Sequence, residues 1–118
     1  MGQHFVEVGD KQELEQLFAR SHDEPVIIFK HSLTCPISSA AYDEMRRVGS
    51  TVALVVVQRA RDISREVQSR TGVRPESPQA LILRDGQVVW SASHWKVTAD
   101  AVERAREQNT EHRTQKSE

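Results

Sequence analysis

The sequence alternates between two kinds of apolar pattern. Three runs, at residues 26–29, 52–57 and 80–83, contain no polar position, which is typical of strands that are buried on both faces of a sheet. Between these runs, apolar residues recur three and four positions apart, which indicates amphipathic helices. Shorter stretches at 5–8 and 88–90 add one strand near each end of the chain. The pattern therefore predicts five strands interleaved with helices.

Capping signals predict where the first two helices begin. Asp10 followed by Glu13 is a variant of the capping box. Pro36 suits the first turn of a helix, because its missing N–H is not needed there. The helix that follows should end at Gly49, and its apolar stripe is formed by Ile37, Ala40, Ala41, Met45 and Val48.

The second half of the chain adds two helices and a hairpin. Asp62 is the predicted cap of the third helix, which should end near Gly72, and Thr98 is the predicted cap of the fourth. The dipeptide Asp85-Gly86 predicts a tight turn between the last two strands. The resulting order of elements is β-α-β-α-β-α-β-β-α.

This order predicts an α/β fold of the thioredoxin-like kind. Strands that alternate with helices demand parallel pairing, whereas the hairpin forces one antiparallel pair. We expect a mixed central β-sheet, mainly parallel with one C-terminal hairpin, flanked by helices on both faces. Residues 1–107 are predicted to form this domain, and residues 108–118 a polar C-terminal tail that frays.

Charge and hydropathy exclude several classes of function. The 118 residues carry a net charge of −1, so there is no electrostatic case for nucleic-acid binding. No apolar run approaches the roughly 18 to 20 residues that span a bilayer, which argues against a membrane partner. The amino terminus lacks a charged region followed by an apolar stretch, so it does not resemble a signal peptide. We expect a cytoplasmic location.

The chain contains one cysteine, Cys35. A single thiol excludes an internal disulfide and any all-thiolate metal site. Cys35 lies after a buried strand and directly before Pro36, so the positive end of a helix dipole should face its sulfur and favour the thiolate. Because the thiolate attacks disulfides, we expect Cys35 to be a nucleophile for thiol–disulfide exchange. The alternative is that Cys35 is a small buried residue that packs like a hydrophobic side chain and takes no part in chemistry.

Ser38 stands three residues after Cys35, where a dithiol oxidoreductase carries its second sulfur. A hydroxyl can donate a hydrogen bond to a thiolate but cannot resolve a mixed disulfide. The chemistry should then be monothiol, and a second thiol from solution must free Cys35. The alternative is that Ser38 is an ordinary residue of the first helical turn.

Three further signals surround the predicted site. Ser77-Pro78 precedes a strand, and a cis bond there would expose the Ser77 backbone to an extended substrate; a trans bond is the commoner alternative. His94 and Trp95 follow the last strand and could contact a ligand or merely pack the sheet edge. A metal site formed by Cys35, His31 and His94 lacks convincing zinc spacing, so we predict none.

Several separated motifs, in the same order along nearly the whole chain, resemble the monothiol bacilliredoxins of the YtxJ type. The motifs are Phe29-Lys30-His31-Ser32, Thr34-Cys35-Pro36-Ile37-Ser38, Glu76-Ser77-Pro78-Gln79-Ala80-Leu81, Asp85-Gly86-Gln87-Val88-Val89-Trp90 and Ala92-Ser93-His94-Trp95. The resemblance ends at the last helix. Leu33 departs from the pattern, since we expect a small or polar residue there in relatives.

The resemblance implies removal of bacillithiol from mixed disulfides on proteins after oxidative stress. Cys35 would be the attacking residue and Pro78 the cis-proline, with bacillithiol as co-substrate and no resident cofactor. The implied partners are bacillithiolated proteins, bacillithiol and a disulfide reductase that recycles it. The malate carboxylates of bacillithiol favour cations. The candidate substrate-binding residues flank the cysteine or the proline, or carry positive charge, or follow the last strand: Thr34, Pro36, Ser77, Lys30, His31, Arg74, His94 and Trp95.

Two other functions compete with this reading. One is a thioredoxin-fold interaction module that presents the Ser77-Pro78 edge to partner proteins without turnover, which would require an unreactive thiol. The other is a glutaredoxin-like iron–sulfur carrier that uses Cys35 and an external thiol. The glycine-containing active site usual for such carriers is absent, since Pro36-Ile37 follows the cysteine.

Overall fold

Within residues 4–110, which a computed structural model describes, the chain forms five strands and four α-helices in the predicted order. The elements are β1 (Phe5–Glu7), α1 (Lys11–Arg20), β2 (Val26–His31), α2 (Pro36–Met45), β3 (Val52–Val56), α3 (Arg61–Thr71), β4 (Gln79–Arg84), β5 (Gln87–Ser93) and α4 (Ala99–Thr110). One 3₁₀ turn, His94–Lys96, joins β5 to α4 and was not predicted. No helix in this part of the chain is long and apolar enough to cross a membrane.

The five strands form one mixed sheet in the order β1-β3-β2-β4-β5. β1 and β2 both pair with β3 in parallel, whereas β4 is antiparallel to both β2 and β5. The mixed α/β fold is confirmed, but the expectation of a single antiparallel pair is wrong. The connection through α3 returns the chain to the end of the sheet where β2 and β3 finish, so Gln79 at the start of β4 pairs with Lys30 near the end of β2.

Two apolar layers cover the two faces of the sheet. Phe29 and Ile82 pack with the buried residues of α2 and α4 on one face. Ile28 and Leu81 pack with the buried residues of α1 and α3 on the other. Each such side chain stabilises the fold by about 1.5–3 kcal/mol through the apolar surface it removes from water. The central strands are therefore a rigid base for the segments at their ends.

The predicted helix caps are observed at two of three positions. The Glu13 N–H donates to Asp10 Oδ1 at 2.9 Å, and the Ala101 N–H donates to Thr98 Oγ1 at 3.2 Å. Asp62 does not cap α3, because that helix begins two residues earlier than predicted, after Ala60, without a side-chain cap. Asp62 lies instead in the first turn, where its charge complements the helix dipole.

The turns form at the residues where the sequence predicts them, but two predicted element boundaries differ from the structure. Gly72 ends α3 with φ of 74°, and Asp85 and Gly86 form the hairpin turn with φ of 57° and 77°. α2 ends at Met45, earlier than the predicted Gly49. Of the predicted polar tail, residues 108–110 belong to α4, and residues 111–118 lie outside the described residues, as do residues 1–3.

Candidate active site

Cys35 lies at the point where a buried strand is followed by a helix. β2 ends at His31, three residues form a loop, and Cys35 is the N-cap residue of α2 with extended backbone angles (φ −106°, ψ 121°). Its carbonyl accepts the Ser39 N–H at 3.0 Å, and Pro36 occupies the first helical position. The thiol is free and partly exposed, and it makes no capping hydrogen bond. Cys35 is therefore a partly exposed residue at the positive end of a helix dipole.

Ser38 is turned into the protein instead of towards the sulfur. It is fully buried. The Ser32 N–H donates to its Oγ at 2.9 Å, and His31 Nδ1 lies 2.7 Å from the same oxygen. Among the hydrogen bonds of the described residues, Cys35 is not a partner of Ser38. Ser38 therefore makes no hydrogen bond to the thiol in this structure, and its hydroxyl instead connects the first turn of α2 to the end of β2.

Replacing Ser38 with alanine is expected to lower the free energy of unfolding by about 1–3 kcal/mol, because buried polar groups of His31 and Ser32 would lose their partner. Urea denaturation measures this change. Ser39→Ala is the matched control, since Ser39 is the next residue on the same turn and is less buried. Equal stability of the two variants would show that the buried hydrogen bonds of Ser38 contribute nothing.

Lys30 and His31 are buried, so neither offers a positive charge to a ligand. Lys30 is 1% exposed; its ammonium donates to the Ser64 carbonyl of α3 at 3.3 Å, and burial lowers its pKa. The pKa of His31 is lowered by burial and then by the nearby charge of Arg59, and its ring packs on Phe29. Their burial argues against the prediction that these two side chains bind substrate carboxylates.

The Ser77-Pro78 peptide is cis, as the resemblance implied. Pro78 is buried. It lies beside the end of β2, since the next residue, Gln79, pairs with Lys30. The Pro78 carbonyl accepts the His94 N–H at 3.0 Å. The Ser77-Pro78 segment therefore lies at the same end of the sheet as the loop that leads to Cys35.

Arg74, His94 and Trp95 all reach the solvent. The Glu76 carboxylate lies 3.5 Å from His94 Nε2 and 4.0 Å from Arg74 Nε, so it faces both side chains. Trp95 is 68% exposed, and the 3₁₀ turn that carries it packs against α2, the helix that begins after Cys35. These side chains, unlike Lys30 and His31, are available to a ligand.

Sequence reasoning missed Gln58. Its Oε1 accepts the Leu33 N–H at 3.1 Å, and its Nε2 donates to Ser32 Oγ at 3.0 Å. Nε2 also reaches Thr34 Oγ1 at 3.5 Å. Gln58 thus contacts each residue of the loop before Cys35. The available signal was its position two residues after β3, at the end of the sheet where Cys35 lies.

Thr34 and Pro36 flank the thiol, and both are exposed. Within the part of the chain that the structure describes, no group of three or more His, Cys, Asp or Glu side chains is placed to hold a metal ion. The His31 ring contacts Phe29 and Tyr42, and its Nδ1 lies against the Ser38 hydroxyl. The arrangement is that of a lone, partly exposed thiol.

Solved structures of thioredoxins share this architecture. A protein described as a candidate oxidoreductase with a thioredoxin fold is 30% identical, with a TM-score of 0.77 over 86% of this chain and 93% of its own. A mutant thioredoxin from Halobacterium salinarum is 18% identical, with a TM-score of 0.70 over 91% of both chains. Thioredoxin from Trypanosoma brucei brucei is 11% identical, with a TM-score of 0.71 over 91% of this chain and 93% of its own.

The fold and the lone thiol at the start of α2 define a thiol–disulfide oxidoreductase of the thioredoxin-like class. The sequence model of the family described as monothiol bacilliredoxin BrxC matches residues 6–102. The chain belongs to the monothiol bacilliredoxin family, and it has a thiol redox function.

Proposed function

We propose that the protein reduces mixed disulfides between bacillithiol and other proteins, with Cys35 as the attacking residue. The Cys35 thiolate attacks the bacillithiol sulfur of the mixed disulfide. A new S–S bond forms between Cys35 and bacillithiol, the old S–S bond breaks, and its electron pair leaves with the thiolate of the target protein, which then takes up a proton. The target protein is thereby restored.

A second thiol completes the cycle. Because the chain has one cysteine, it cannot resolve the Cys35–bacillithiol disulfide internally. A second bacillithiol attacks the adduct, releases Cys35 as a thiolate and forms oxidised bacillithiol, which a disulfide reductase then reduces. In this scheme bacillithiol is a co-substrate, no resident cofactor takes part, and the reaction takes place in the cytoplasm.

The exposed side chains near the site suggest how the two substrates are held. Arg74 and His94 remain the candidate cations for the malate carboxylates of bacillithiol, since Lys30 and His31 are buried. A ligand carboxylate would compete with Glu76 for them. The Ser77-Pro78 edge, Thr34, Pro36 and Trp95 are the proposed contacts of the target protein.

One observation carries the proposal: the only thiol of the chain is partly exposed at the start of a helix, with no capping hydrogen bond that would restrain it. Its test is the mass of the reduced protein after incubation with oxidised bacillithiol or, separately, with oxidised glutathione. We expect one bacillithiol adduct, located on Cys35, to form at least about tenfold faster than the glutathione adduct. Equal rates, or a faster reaction with glutathione, would contradict the proposed thiol specificity.

A further inference from the structure

The loop that precedes Cys35 consists of three residues, and a single side chain binds all of them. Gln58 accepts the Leu33 N–H at 3.1 Å and donates to Ser32 Oγ at 3.0 Å. The same amide nitrogen lies 3.5 Å from Thr34 Oγ1, and the two hydroxyls are 3.4 Å apart. A residue that follows β3 thus connects the start of the loop to the residue adjacent to Cys35.

The amide group is suited to both ends of this loop. A backbone N–H can only donate, so the atom that faces Leu33 must be an acceptor, while the two hydroxyl oxygens can accept from an N–H. Glutamine supplies both functions at the end of one side chain. A methionine of similar length would supply no donor and only a weak acceptor.

The same contacts explain why a hydrophobic residue is exposed beside the thiol. The Leu33 side chain is 54% exposed, while its backbone is held towards Gln58. Such exposure costs free energy that local burial of Leu33 would recover. Without a fixed backbone, the loop could rearrange to cover this side chain, and Cys35 would move with it.

We propose that Gln58 is a positioning residue for thiol–disulfide exchange. It does not touch the reacting sulfurs; it holds residues 32–34 so that Cys35 is presented at the start of α2 in the geometry required for attack. The inference rests on the proposed function only in taking Cys35 as the nucleophile. In-line attack on an S–S bond depends on alignment, and a displacement of about 1 Å can slow a reaction by about a hundredfold.

The effect on folding should be small, because Gln58 is exposed. An exposed hydrogen bond contributes little to stability, since water replaces the lost partner. A positioning role therefore predicts a change in rate without a corresponding change in melting temperature. A purely structural role predicts that both change together.

The test compares Gln58→Ala and Gln58→Met with the wild-type protein and with Gln12→Ala, a control at an exposed glutamine of α1. The first readout is the second-order rate constant for reaction of Cys35 with the aromatic disulfide 5,5′-dithiobis(2-nitrobenzoate), which requires no bacillithiol. The second is the hydrogen-exchange rate of the Leu33 amide, measured by NMR. The third is kcat and KM, determined separately with a bacillithiolated protein as substrate.

We expect both Gln58 variants to react about tenfold more slowly with the aromatic disulfide, with faster exchange at Leu33 and a melting temperature within about 2 °C of wild type. With the protein substrate, kcat should fall while KM stays within about twofold. Gln12→Ala should match wild type in every readout.

Rates within about twofold of wild type in both Gln58 variants would overturn the inference. So would a loss of rate that accompanies a large fall in melting temperature in both. Failure of the proposed function would look different: wild-type protein would react with the aromatic disulfide, and the Gln58 variants would slow that reaction, but neither would act on bacillithiolated protein.

Discussion

Cys35→Ser should reduce the release of bacillithiol from a target protein by more than about a thousandfold, to the rate of the uncatalysed exchange. A serine hydroxyl is a weak nucleophile without a neighbouring base and cannot form the S–S bond that carries the reaction. No other sulfhydryl in the chain can substitute, because the sequence contains one cysteine. The measurement is the regain of free thiol on a bacillithiolated target in the presence of excess bacillithiol.

Ser39→Ala is the control for this experiment, because Ser39 lies on the same helical turn and should leave turnover unchanged. Cys35→Ser should remain folded, since the side chain is partly exposed and makes no capping hydrogen bond. Substantial turnover by folded Cys35→Ser protein would show that Cys35 is not the attacking residue.

Lys30→Met should raise the free energy of unfolding by about 1–3 kcal/mol at pH 7, because a buried ammonium is replaced by an apolar side chain of similar length. Lys30 donates to the Ser64 carbonyl, and among the described residues no carboxylate forms an ion pair with it. Burial lowers its pKa in the folded protein. Between that lowered pKa and the ordinary lysine value, the unfolded chain binds more protons, so wild-type stability rises with pH.

The advantage of Lys30→Met should therefore be largest at neutral pH and shrink as the pH approaches about 10. Chemical denaturation at a series of pH values measures it. Lys11→Met, at the exposed start of α1, is the control and should show neither the gain nor the pH dependence. A Lys30→Met protein that is less stable than wild type at pH 7 would show that the ammonium stabilises the fold where it lies.

The strands were predictable because their local pattern matches their final environment. Residues 26–29, 52–57 and 80–83 are apolar throughout, and β2, β3 and β4 occupy the middle of the sheet, where both faces are covered. The Asp85-Gly86 turn was predictable for a similar reason, since these residue types tolerate the positive φ angles that a tight hairpin requires.

The direction of β4 could not be predicted, because it depends on the path of the chain between α3 and the strand. The order of elements is the same whether β4 runs parallel or antiparallel to β2. The burial of Lys30 and His31 could not be predicted for a related reason. β2 continues two residues beyond its apolar run, whereas residue type alone suggests that both side chains are exposed.

Contacts between segments that are distant in the sequence could not be predicted from the pattern either. Gln58 is separated from Leu33 by 25 positions, and a polar residue after a strand usually indicates no more than a loop. Ser38 was recognised by its spacing from Cys35, but its direction depends on how α2 packs against the end of β2. Positions near the thiol were predictable, whereas the partners of their side chains were not.

The central claim is that one thiolate, Cys35, carries the exchange and cannot release itself. It is tested most directly by mixing reduced protein with excess bacillithiolated target in the absence of any other thiol. We predict a burst that releases one target thiol per protein molecule, then a stop, with the protein heavier by one bacillithiol on the peptide that contains Cys35. Continued release beyond one equivalent, or an unmodified Cys35 at the end of the burst, would contradict the account.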